Sequence, residues 1–69
     1  MDKYEIKFTG KSNDKYECGV ILATAKNLKS AWKKLHELNK NFSNYDLVLL
    51  KNKIFHSYPA DINHKYINS

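Results

Sequence analysis

Lys29, Lys33, His36 and Lys40 follow one another at intervals of four, three and four residues. On a helix that spacing stacks them along one side. Such a stripe could lie along a phosphate backbone, and the contact would weaken steeply with salt because it releases counterions. A second set, Lys3, Lys7, Lys51 and Lys53, falls on predicted strands or in the turn between two of them and could extend the same surface. The competing reading is structural. A helix packed on a sheet needs a polar outer side, and Lys is a good helix former. Glu37, four residues beyond Lys33, also offers that lysine an ion-pair partner.

Other chemistry-bearing residues form no comparable pattern. His36, His56 and His64 have no second ligand at metal-binding spacing, so no metal is assigned. Gly10 and Gly19 are the only glycines, too few for a phosphate-cradling loop. The seven carboxylates are scattered, most of them beside lysines, and none is paired by spacing as an acid/base couple. No catalytic residue and no cofactor is assigned, and the chain reads as a non-enzyme. Cys18 is the sole cysteine, which excludes an internal disulfide or a thiolate cluster. Its place in a predicted strand makes it a buried, inert thiol; reactivity would need a cation nearby.

The net charge is +5, and all twelve basic residues are lysines. A positive chain suits anionic partners, either nucleic acid or an acidic protein surface. Lack of arginine counts against base-specific readout, because lysine offers a point charge where arginine offers a bidentate fork. Lys, Asn, Ile and Tyr are also favoured by AT-rich codons, so part of the charge can reflect genome composition.

These residues need elements to position them. Residues 3–9 alternate, with Tyr4, Ile6 and Phe8 on one face and Lys3, Glu5, Lys7 and Thr9 on the other, the pattern of a strand wet on one side. Residues 10–15 are a turn by composition. Residues 16–25 predict a second strand, with Tyr16, Cys18, Val20 and Leu22 on one face and Ile21 and Ala23 on the other. The two strands form an antiparallel hairpin.

The helix runs from about Asn27 to Asn41. Asn27 is the N-cap candidate, with Thr24 a second one for a helix that starts earlier. Leu28, Ala31, Trp32, Leu35 and Leu38, extended by Phe42, form its apolar stripe. Tyr45 to Leu50 and Ile54 to Tyr58 predict two more strands, with Lys51, Asn52 and Lys53 as a tight turn that lacks the favoured Asn-Gly pair. Pro59 ends the last strand, since it cannot donate to a ladder.

The expectation is an α+β fold of order β-β-α-β-β: a four-stranded antiparallel sheet with one amphipathic helix packed on one face. Residues 1–59 make the single domain, and residues 60–69 a tail in which Ile62 and Tyr66 permit a short helical turn. The uncovered sheet face carries Lys3, Glu5, Lys7, Glu17 and Asp46 together with Ile21, Val48 and Leu50. If exposed together, those apolar residues would invite a partner or a second copy. Tyr4, Phe8, Tyr16, Tyr45, Phe55 and Tyr58 all fall on predicted strands. Exposed among lysines, such rings can stack single-stranded bases, but strands favour aromatics in any case.

The longest apolar run is far short of a membrane span, and no apolar segment follows the first three residues, which predicts a cytoplasmic protein without membrane contact. In size and in its Lys/Asn/Tyr-rich composition the chain resembles short open reading frames of phages and mobile elements in low-GC Gram-positive bacteria. That resemblance implies a non-catalytic binder that inhibits or redirects a host protein. Two functional readings stand: a small protein-binding module using the outer sheet face, an exposed strand edge that could extend a partner's sheet, or the lysine side of the helix; and a nucleic-acid binder using the lysines. A homodimer through the uncovered sheet face or an edge strand is compatible with both.

Overall fold

The computed structural model describes residues 2–42 and 45–61. Its elements are β1 (Tyr4–Phe8), β2 (Ile21–Ala25), α1 (Leu28–Asn39), β3 (Leu47–Lys51), β4 (Ile54–Ser57) and a final 3-10 turn (Pro59–Asp61). The four strands form one antiparallel sheet in the order β2-β1-β3-β4, with α1 packed on one face. This is the expected α+β architecture. The tail is described as far as Asp61; Ile62, His64 and Tyr66 lie outside the described residues.

The helix forms where its two signals coincide. The Asn27 side chain accepts from the Ser30 N–H at 2.9 Å, satisfying a donor of the first turn that has no partner within the helix. The apolar stripe then faces the sheet. Ala31 and Leu35 are fully buried, and Leu28, Trp32, Leu38 and Phe42 pack around them. From the sheet side Tyr4, Ile6, Phe8, Leu47 and Leu49 complete the core. Each fully buried Leu, Ile or Phe contributes roughly 1.5–3 kcal/mol by leaving water.

β2 starts later than its composition suggests. Gly19 adopts φ +99°, a conformation that favours glycine, and the Val20 N–H turns back to the Glu17 carbonyl. Residues 16–20 therefore form a turn before the strand, not its first half. Cys18 lies in that turn and is exposed, which corrects its expected burial. Tyr16 nevertheless reaches the core. Its ring stands 6.0 Å from Phe8 and 5.6 Å from Phe42, pinning the long connection to the end of the helix.

A register shift between Ile6 and Lys7 pairs Ile6 with Ala23 and Lys7 with Ile21. The extra residue, Leu22, and Ala23 both pack against the core, so Ala23 is not on the outer face with Ile21 as strict alternation predicts. The β3 strand begins at Leu47 and not Tyr45, and β4 ends at Ser57, so Tyr58 lies just beyond it.

The turn between β3 and β4 has two residues, Asn52 and Lys53. Asn52 and Lys53 both have positive φ, 52° and 68°, as the preferred two-residue hairpin turn requires. Asn tolerates this conformation, whereas a lysine there is strained. Asn52 is also a clamp. Its backbone N–H donates to the Lys3 carbonyl at 2.8 Å, and its side-chain Oδ1 accepts from the Lys3 N–H at 2.9 Å. Replacing Lys53 by glycine should relieve the strain and stabilise the fold by about 0.5–1 kcal/mol, after the extra chain entropy of glycine is subtracted. Urea unfolding should show a higher midpoint with an unchanged slope.

Candidate functional site

The layered fold separates the predicted site residues. Lys29, Lys33 and Lys40 are exposed on α1, and His36 is half-buried there. Lys3 and Lys7 lie on the opposite face of the sheet, and Lys51 and Lys53 flank and occupy the hairpin turn. The eight residues therefore do not make one continuous surface. The ion pairing also differs from expectation. Glu37 pairs with Lys40 at 3.3 Å, three residues on, and not with Lys33. Lys34, outside the stripe, donates from Nζ to the Thr24 carbonyl on the edge strand β2 at 2.6 Å.

The uncovered sheet face is less apolar than the sequence suggests. Val48 is only 6% exposed, Leu50 is half-buried, and Ile21 alone of the three is exposed. Apolar exposure is concentrated instead at β4. Ile54 is 72% exposed and Phe55 53%. The helix lies over β1, β2 and β3 and meets β4 through Trp32, whose ring is 6.4 Å from that of His56.

Next to β4 the rings of Phe55, Tyr58 and Tyr45 form a strip. Centroids are 5.0 Å apart for Phe55 and Tyr58 and 5.3 Å for Tyr58 and Tyr45, with tilted or edge-on planes, the geometry preferred by interacting rings. Tyr45 is 67% exposed. The sequence offered these three residues only as members of a longer list of strand aromatics. What sets them apart is the position of β4 at the sheet edge, which depends on strand order.

The backbone of β4 is open as well. Phe8 exchanges hydrogen bonds with Val20 and Gly19, while Lys3 and Thr9 bond to Asn52 and Asp46. The alternation of an antiparallel ladder then turns Leu50 toward β1 and Lys51 toward β4. Phe55, opposite Leu50, is left with its N–H and C=O directed to the open edge. The arrangement can hold an extended chain. Among the described residues no group of three His, Cys, Asp or Glu could hold a metal, and no helix is long and apolar enough to cross a membrane.

The carboxylates around the hairpin each have a neighbour. Asp2 accepts from Asn52 Nδ2 at 3.2 Å and pairs with Lys51 at 3.6 Å. Asp61 accepts from the Tyr58 N–H at 2.9 Å, and Glu5 lies 4.0 Å from Lys3. Among the described residues Lys53 makes no ion pair.

Comparison with protein-family models, curated proteins and solved structures finds no match to this chain.

The Asn52 hydrogen bond, assisted by Lys51, holds the Asp2 carboxyl below the usual aspartate range. A carboxyl with a depressed folded pKa adds stability above its unfolded pKa and loses it as pH falls through the folded value. Asp2→Asn mimics the protonated form. Wild type should therefore melt slightly higher than the variant at neutral pH and low salt, and the gap should close as the carboxyl protonates in acid. The exposed position makes the effect small and sensitive to salt.

Proposed function

We propose that the protein is a small non-catalytic binding module that engages another protein in the cytoplasm through the β4 side of the sheet. The observation that carries this reading is the exposure of Ile54 and Phe55 on an edge strand that the helix leaves uncovered. A long-lived apolar edge is a liability in a free monomer, because it templates pairing with other chains. A protein that keeps one gains from having a partner to cover it. The aromatic strip supports the same reading, since Tyr and Phe are enriched in the buried centres of protein interfaces. The phage-like size and composition suggest the kind of partner, a host protein whose activity is inhibited or redirected.

The nucleic-acid reading draws on the exposed Lys29 and Lys33. The geometry splits its lysines, because those of the helix and those of the sheet face opposite ways, and of the exposed aromatics Phe55 lies on the sheet's outer face with Lys3 and Lys7 and not on the helix side. A lysine-bearing outer face is also what a helix on a sheet requires.

One set of variants separates the two. Ile54→Lys with Phe55→Lys removes the apolar edge, and Lys29→Glu with Lys33→Glu and Lys40→Glu inverts the helix stripe. In affinity capture from a low-GC Gram-positive lysate, a specific protein should be retained by wild type and by the helix variant and lost with the β4 variant. Binding to random-sequence single- and double-stranded nucleic acid should be weak at ~50 mM salt. Tight binding that collapses at ~200 mM salt and disappears in the helix variant would instead establish the nucleic-acid reading.

A further inference from the structure

We propose that the cleft between the start of β1, the end of β2 and the first turns of α1 binds a polyphosphate anion, either free or as the phosphate chain of a nucleotide. The site is independent of the protein-binding reading. It opens beside β1 and β2, whereas Ile54 and Phe55 lie on β4 at the other edge of the sheet.

Charge is spread unevenly along the chain. Residues 1–25 and 41–61 hold six lysines and six carboxylates, so the sheet and its connections are neutral on balance. Residues 26–40, the helix and its approach, hold five lysines and one carboxylate. That carboxylate, Glu37, pairs with Lys40 at 3.3 Å. The uncompensated cations therefore lie on the first half of the helix and just before it.

The fold adds a third element to them. Lys3 before β1, Lys26 in the β2–α1 connection and Lys34 on α1 all line the same cleft. Lys34 is held in place, its Nζ donating to the Thr24 carbonyl at 2.6 Å, which leaves two of its three N–H donors for a ligand. Lys26 makes no ion pair among the described residues, and Lys3 has only a long contact of 4.0 Å with Glu5. Asp2 is the one carboxylate in the lining, and it is engaged by Asn52 at 3.2 Å and by Lys51 at 3.6 Å. The hydroxyls of Thr24 and Ser30 supply neutral donors. An anion in the cleft would meet three ammonium groups and no unengaged carboxylate.

The cleft has a volume of about 530 Å³, within the range of small-molecule sites. Its three ammonium groups come from three directions, which suits an anion with its charge spread over several phosphates. Lysine binds phosphate as a point charge, without arginine's bidentate fork. Selection here should therefore follow the amount of charge, with triphosphate ahead of monophosphate. The exposed stripe of Lys29, Lys33 and Lys40 lies outside the cleft and serves as its control.

The test is a titration of the isotope-labelled full chain, read by NMR at ~50 mM salt so that screening is modest. The probes are inorganic phosphate, tripolyphosphate and ATP. Tripolyphosphate should shift the amides of Thr24, Lys26 and Ser30 saturably and leave Phe55 unmoved. Inorganic phosphate should bind roughly tenfold more weakly. ATP binding tighter than tripolyphosphate would name the nucleotide as the source, and weaker binding the free polyphosphate; both keep the site. Lys26→Gln with Lys34→Gln and Lys33→Gln with Lys40→Gln remove equal charge. The first pair should weaken tripolyphosphate about tenfold and the second less than about twofold. Lys26→Gln alone, at an exposed residue outside every element, should weaken it about threefold and guards against a fold disturbed by loss of the Lys34 bond.

Equal losses from the two charge-matched pairs would overturn the site in favour of diffuse attraction. Shifts centred on Lys29, Lys33 and Lys40 in place of the cleft amides would do the same, as would equal binding of phosphate and tripolyphosphate or the absence of any saturable shift.

Discussion

One helix has to cover a four-stranded sheet, and it is too narrow to do so. An α-helix with its side chains is about 10 Å across, while four strands spaced about 4.8 Å apart span roughly 19 Å. The helix must choose which strands to shield. Here it follows β2 through a short connection, begins at the Asn27 cap, and settles over β1, β2 and β3. Core and exposed surface both follow from that placement. Tyr4, Ile6, Phe8, Leu47 and Leu49 lie beneath the helix and are buried, whereas Ile54 and Phe55 lie beyond it and are not.

The remaining contacts extend the helix's cover at both ends of the sheet. At one end Tyr16 and Phe42 close over Phe8, so the long connection between β1 and β2 is held by an aromatic cluster and not by strand pairing. At the other, Asn52 joins the β3–β4 turn to the start of β1 through two backbone-directed hydrogen bonds at Lys3. That clamp explains how a two-residue turn with a strained lysine at its second position is tolerated. The hairpin is tethered at its tip, so β4 keeps a fixed place at the sheet edge although little packs on it.

Legibility in the sequence tracked how local each signal was. The helix was readable because an Asn cap and an apolar period of 3.6 agree over the same residues. β1 was readable from the alternation of Tyr4, Ile6 and Phe8. The start of β2 was misread because Tyr16, Cys18 and Val20 alternate as a strand would, while the deciding fact is the positive φ of Gly19. Ile21, Val48 and Leu50 were expected as one apolar patch; alternation sets their side of the sheet, but the depth of Val48 in the central strand β3 is a tertiary property. The candidate site was harder still. The lysine stripe is visible in sequence because helical spacing is local, but its separation from Lys3 and Lys7 comes from the layering. Phe55 and Ile54 stand out only once β4 is known to be an edge strand, which no residue spacing encodes.

The most direct test of the helix's limited reach is native-state amide hydrogen exchange across the sheet. Amides of β1, held between β2 and β3 beneath the helix, should exchange slowest, and the Phe55 amide should exchange as an unprotected group in a folded chain. Protection at Phe55 equal to that at Ile6 in a dilute, monomeric sample would mean that β4 is covered, and would contradict the account of an open edge on which the functional reading rests.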